Sequence, residues 1–182
     1  MNNLLAVDAA HRGSGNENSL IEACVSGIDQ CLTVLDCTSN EAYQCCLQGN
    51  SSIGSHMRHI IDRFDCFLSG LQTGKVNFDA RNRDRKIELS PGAASKALAL
   101  LPQKLIACQD QLDSDLLVIE SIDAGRDSVA VNSSVNRELM GLVSHTIHHL
   151  AVIALLLRAQ GFEIGDNIGK APSTLKYERS QA

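Results

Sequence analysis

The chain carries six histidines, and five of them fall in two tight groups: His56 and His59, then His145, His148 and His149. Only His11 stands apart. Imidazole is both a common ligand of divalent transition metals and a proton carrier near neutral pH. His145 and His149 are four residues apart, the spacing at which two side chains of one helix share a face and can converge on one ion. At about 100° per residue, His149 lies roughly 95° and His145 roughly 135° from the centre of the apolar stripe Leu139, Val143, Thr146, Leu150, Ile153 and Leu157, on the same side. His148 points almost opposite that stripe, toward solvent. Around the stripe of the earlier helix, His56 lies at roughly 75° and His59 at roughly 135°, again on one flank. Two such flanks meeting at a groove would gather three or four nitrogens, and the angles alone leave His56 and His59 as alternatives. Three neutral imidazoles with open positions are the donor set of a catalytic or ligand-exchanging site, not of a closed structural one. Zn, Ni and Fe all accept imidazole. A single surface histidine, or one H-x-x-x-H pair, needs no such account; two flank-aligned groups that hold five of the six histidines do.

Other side chains offer less. Asp62, three residues after His59, could support a ligand from behind, or be an exposed charge. Glu138, seven residues before His145, could be a general base, although close to a helix N-terminus it serves as a partner of the helix dipole. Arg81, Arg83 and Arg85 could receive an anionic substrate or form a solvated loop. There is no glycine-rich phosphate loop. The seven cysteines, Cys24, Cys31, Cys37, Cys45, Cys46, Cys66 and Cys108, are odd in number and contain no C-x-x-C. They read as buried, reduced thiols packing as small apolar residues, in a bacterial-type cytoplasm, and none has the context of an activated nucleophile.

The elements that must position these groups follow from periodicity. Residues 1–17 are polar and rich in Gly and Asn, a flexible tail; residues 18–182 form one domain. A helix is predicted over 18–36, with Leu20, Ile21, Cys24, Val25, Ile28, Cys31, Leu32 and Leu35 on one stripe, and a short helical turn near Glu41 to Cys46. The second long helix starts after Ser51 or Ser52 and buries Ile53, Met57, Ile60, Ile61, Phe64, Phe67, Leu68 and Leu71, with Gly70 and Gly74 marking its end. Residues 75–89 are charged and irregular, a long connection. Ser90-Pro91 caps a third helix that Pro102 kinks or splits. Residues 115–132 change to β-branched and alternating residues, a short hairpin. Ser133 or Ser134 then caps the last long helix, which runs to about Gln160 and stops at Gly161. The tail from 162 to 182 holds an ordered turn at Gly169 and Pro172. The fold class is therefore mainly all-α: a four-helix bundle with a short β-hairpin inserted before the last helix.

Composition narrows the function classes. A net charge of -5 argues against nucleic acid as a partner, which needs a cationic surface. No stretch is expected to reach the ~18 apolar residues of a membrane span, and the N-terminus lacks the basic start and apolar run of a secretory signal. The expected setting is the cytoplasm, without a membrane partner. Aromatic residues make up only 3% of the chain and Trp is absent, so the core must be built from Leu, Ile, Val, Ala and Cys.

His59-Ile-Ile-Asp62 on the second helix, followed by Ser144 to His149 (SHTIHH) on the last, resembles the DinB-like (YfiT-like) superfamily. Leu155 to Gly161 (LLLRAQG) is similar to the way its last helix ends. The resemblance spans about residues 18–161. It implies a four-helix bundle with a divalent metal held by three histidines, in the positions of His59, His145 and His149, and so favours His59 over His56. It further implies a homodimer and, as in some members, a thiol-dependent transferase or isomerase using a low-molecular-weight thiol, while other members have no assigned activity. The readings this leaves are a metal-dependent thiol transferase or hydrolase acting on a small molecule or thiol, or a non-catalytic metal- or ligand-binding bundle of stress or sensor role. Two features depart from the pattern: Leu150-Ala151-Val152 stands where many members carry Arg-Gly-Gln, and the hairpin is not a general feature of the superfamily.

Overall fold

A computed structural model describes residues 15–47 and 51–181. Most of the expected N-terminal tail lies outside them; residues 15–17, assigned to that tail by composition, belong to the first helix, α1 (Gly15–Asp36). α1 buries Ile21, Cys24, Ile28, Cys31, Val34 and Leu35, close to the predicted stripe. Ser39 caps a one-turn helix, α2 (Asn40–Gln44). Ser52 caps α3 (Ile53–Leu71), its hydroxyl accepting from the Ser55 N–H. α3 buries Ile53, Met57, Ile60, Ile61, Phe64, Phe67 and Leu71, as the spacing predicts; Leu68 is only half-buried.

The connection after α3 is structured, which corrects the expectation of an irregular segment. Strand β1 (Lys75–Asn77) buries Val76, and helix α4 (Arg85–Leu89) starts at Asp84, whose carboxylate accepts from the Lys86 N–H. Elements of three and five residues are too short to leave a hydrophobic period, so the charged residues around them dominate the sequence signal. α3 ends at Leu71, between Gly70 and Gly74, where those glycines mark its end, and Gly70 has a second role. A Cβ there would lie 2.6 Å from Val76 Cγ2, so this glycine lets β1 return closely against α3.

Ser90 caps α5 (Pro91–Ala99), and the chain breaks at Leu100 before α6 (Leu101–Ile106), which carries Pro102 in its first turn. Proline is at home there and nowhere further along a helix, so Pro102 splits the predicted helix. The hairpin is present as β2 (Asp115–Glu120) and β3 (Val129–Ser134), paired antiparallel from Asp115↔Ser134 to Glu120↔Val129. β1 adds to β2 in parallel, giving a mixed three-stranded sheet in the order β1-β2-β3. The fold is thus mainly helical with a small sheet, one strand larger than the predicted hairpin. Ser134 caps α7 (Val135–Ala159), and Gly161 stops it in the left-handed region, at φ 84°.

α1, α3, α5 with α6, and α7 pack on one another around one core. α7 is long and apolar enough to cross a membrane by length and composition alone, which corrects the expectation that no stretch is. Its apolar stripe, Leu139, Leu142, Leu150, Ile153 and Leu157, is buried in the core, against α1 and α3. Beyond α7 the chain turns at Gly169 (φ 72°), where a Cβ would lie 2.4 Å from the Ala151 backbone nitrogen, and ends in α8 (Pro172–Gln181). α8 buries no residue, so it carries no amphipathic signature.

Gly54 is a second close approach. A Cβ there would lie 2.0 Å from the Glu88 carbonyl oxygen and 2.7 Å from Tyr43 Cε1. Gly54→Ala must push α4 away from α3. The expected cost is about 1–3 kcal/mol, the usual range for overpacking. It would appear as an earlier urea midpoint; an unchanged midpoint would show that α4 does not sit against α3 as described.

Candidate metal centre

α3 and α7 lie side by side and bring the two histidine groups together. The His59 ring centroid is 4.8 Å from that of His145 and 4.8 Å from that of His149, and His145 and His149 are 4.5 Å apart. One donor atom from each of His59, His145 and His149 lies within 4.8 Å of the others, and all three rings are half-buried. Among the described residues this is the group of His, Cys, Asp or Glu placed to hold a metal.

His56 lies outside that group. Its Nδ1 is 2.9 Å from His149 Nδ1, so one ring donates to the other. A helical wheel gives angle but not height. His56 stands about 4.5 Å along the α3 axis from His59, which places it beside His149 instead of among the three. The pairing leaves His149 Nε2 free and fixes the ring from behind, the arrangement found behind metal-ligating histidines. His148 is exposed, as its wheel position predicts, and touches only the edge of the cluster, at 5.3 Å from His149.

The three rings are held neutral. Burial, then the Arg81, Arg63, His56 and Arg58 charges, lowers the His59 pKa to about 4. Burial, then His149 and Arg63, lowers that of His145 to about 3. Burial, then His59 and His56, lowers that of His149 to about 3. Neutral imidazole is the form that ligates. His145 Nε2 is buried and has no hydrogen-bond partner. Such an atom costs free energy unless an ion or water meets it. The donor set and this orphaned nitrogen both fit a divalent metal.

The other predicted residues separate. Arg81 reaches the cluster, its Nη1 lying 2.7 Å from His59 Nδ1. Arg83 and Arg85 are exposed. Asp62 is 4% exposed and accepts from the Arg83 backbone N–H at 3.3 Å; burial raises its pKa, against the lowering effect of that N–H and of Arg58 and Arg81. It therefore ties down the loop that carries Arg81, helped by Arg83 standing at φ 51°. Glu138 accepts from Ser133 Oγ at 2.6 Å in the first turn of α7, about 10 Å along the axis from His145.

Two residues at the site escaped the sequence reading. Arg58 pairs with Glu88, and Arg63 pairs with Glu120 while its guanidinium lies 3.6 Å over the Phe78 ring. Arg63 follows His59 by four residues, the same-flank spacing used for His145 and His149, so it was open to the same argument. The cysteines divide as well. Cys24 and Cys31 are fully buried, their thiols pushed up to about 12 by burial, and pack as apolar groups. Cys37 and Cys46 are exposed and Cys45, Cys66 and Cys108 half-buried, which corrects the expectation for those five; all seven are free thiols.

No family model, curated protein or solved structure matches this chain. What fold and site define together is a mainly helical protein with a three-histidine group placed to hold a metal ion.

Proposed function

We propose that this chain is a divalent-metal-binding protein of the DinB-like type, acting as a metal-dependent transferase or hydrolase on a small molecule. The observation that carries the reading is His145 Nε2, buried without a partner inside a cluster of three neutral imidazoles. His59, His145 and His149 would hold the ion, which could be Zn, Ni or Fe. When bound, it supplies Lewis acidity, polarising a carbonyl or lowering the pKa of a thiol or water.

The chain's own groups argue for a substrate that brings its own acidic proton. Asp62 is engaged with the Arg83 N–H and Glu138 with Ser133, so neither predicted carboxylate stands free as a base beside the cluster. A low-molecular-weight thiol meets that requirement better than an alcohol or an amine. His56 orients His149, and the Glu88 and Glu120 carboxylates hold Arg58 and Arg63 in place beside the cluster. Free thiols suit a reducing cytoplasm.

Thiol-transfer turnover that requires divalent metal is expected for the unaltered protein and absent in His149→Ala. Turnover retained in full by the variant would rule out the metal mechanism. Metal retained without any turnover would leave a non-catalytic metal-binding bundle.

A further inference from the structure

His59 is met by the wrong kind of partner for a metal ligand. A guanidinium only donates hydrogen bonds, so with Arg81 Nη1 at 2.7 Å, His59 Nδ1 must accept. A neutral imidazole has one accepting and one protonated nitrogen. Its accepting nitrogen is therefore spent on Arg81, and the other carries the proton. An imidazole that ligates through one nitrogen does the reverse, turning a protonated nitrogen toward an acceptor. His149 can satisfy this through His56; His59, as placed, cannot.

Arg81 is also the unusual arginine of the three around His59. Arg58 and Arg63 each have a carboxylate, on Glu88 and Glu120. Among the described residues no carboxylate lies within ion-pair distance of Arg81; its Nε is buried without a partner, as are those of Arg58 and Arg63, so the missing carboxylate is what sets it apart. The backbone beside it is anchored by the Asp62 to Arg83 bond, so the guanidinium can leave His59 by side-chain rotation alone.

We propose that Arg81 stands on His59 as a cation in place of the metal, that metal binding drives it off, and that the freed guanidinium then receives the carboxylate or tetrahedral oxyanion of an anionic ligand. This rests on the metal-centre reading above. Metal and anion then bind cooperatively: by linkage, an anion that captures Arg81 tightens metal binding by the same factor as metal tightens anion binding.

Zinc affinity, measured by competition with a chromophoric chelator, tests this in the full chain. Arg81→Ala is expected to bind zinc about tenfold more tightly or better, since the competing charged hydrogen bond is gone. If Arg81→Ala fails to fold, Arg81→Gln, which keeps a polar side chain but is shorter and loses the charge, is read the same way. In the unaltered protein, replacing chloride by sulfate or acetate at constant ionic strength should tighten zinc binding, and the variant should not respond. A response to sulfate alone assigns a tetrahedral oxyanion, and one to acetate alone a carboxylate. If the unaltered chain binds no zinc, the metal-centre reading itself fails. If it binds zinc but the variant binds no more tightly, or both respond equally to the anions, the metal centre stands and the role of Arg81 is overturned.

Discussion

Protein in which alanine replaces His145 is expected to lose at least about 100-fold in divalent-metal affinity while keeping its metal-free fold. Removing a group that merely supports a ligand already costs 10–100-fold, and His145 is proposed as a ligand itself. Its Nε2 has no protein partner, so truncation breaks no hydrogen bond at that nitrogen and removes a buried unsatisfied group. Thermal melts with and without zinc separate the two effects. At a free metal concentration of 100 times Kd, ligation stabilises the native state by about 2.7 kcal/mol. For a chain of this size that raises Tm by about 5–11 °C. The shift should vanish in His145→Ala, with metal-free melting close to that of the unaltered chain. An undiminished shift would remove His145 from the centre.

Acid should destabilise the metal-free protein well above the usual carboxylate range. The ordinary value for histidine is 6.5, and the folded values fall to about 4 for His59 and about 3 for His145 and His149. Burial is the largest cause for each ring, and the Arg63 charge contributes to all three. Below pH 6.5 the unfolded chain takes up protons at these positions while the folded chain does not. The unfolded state then binds more protons, so stability rises with pH and falls as pH drops. The stability due to these rings is present in full above pH 6.5, declines as pH falls, and stops declining once the folded rings themselves protonate near pH 4 to 3. Urea midpoints measured between pH 7 and pH 4 should fall, and fall less steeply in His149→Ala. Equal slopes would mean that these rings do not titrate as buried groups. The same depression lets the histidines offer lone pairs to a metal at pH 5, where an ordinary histidine is mostly protonated.

Much of the fold was legible because long helices repeat their pattern. Ser52, Ser90 and Ser134 cap α3, α5 and α7 with their hydroxyls, and Ser52 and Ser134 were each one of two adjacent serines the sequence offered. Pro102 split the third helix as its missing N–H requires. β1 and α4 were not legible, because one buried residue in three, Val76, is no period, and α4 buries none. Gly70 marks the end of α3, but the sequence did not show that it is also a contact surface, visible only once Val76 is known to pack there.

By itself the sequence determined which residues could ligate and on which flank of which helix they stood. The i, i+4 spacing of His145 and His149 fixes their convergence through local helix geometry, with no knowledge of the rest of the chain. Tertiary structure alone decided what those histidines meet. The heights at which α3 and α7 pack put His59 against both partners and His56 behind His149. The return of the chain through β1 and its following loop brought Arg81 onto His59 from 22 residues away. Angle around a helix is written in local spacing. Height between helices, and the partners supplied by loops, depend on contacts between residues far apart in the chain, which no local period records.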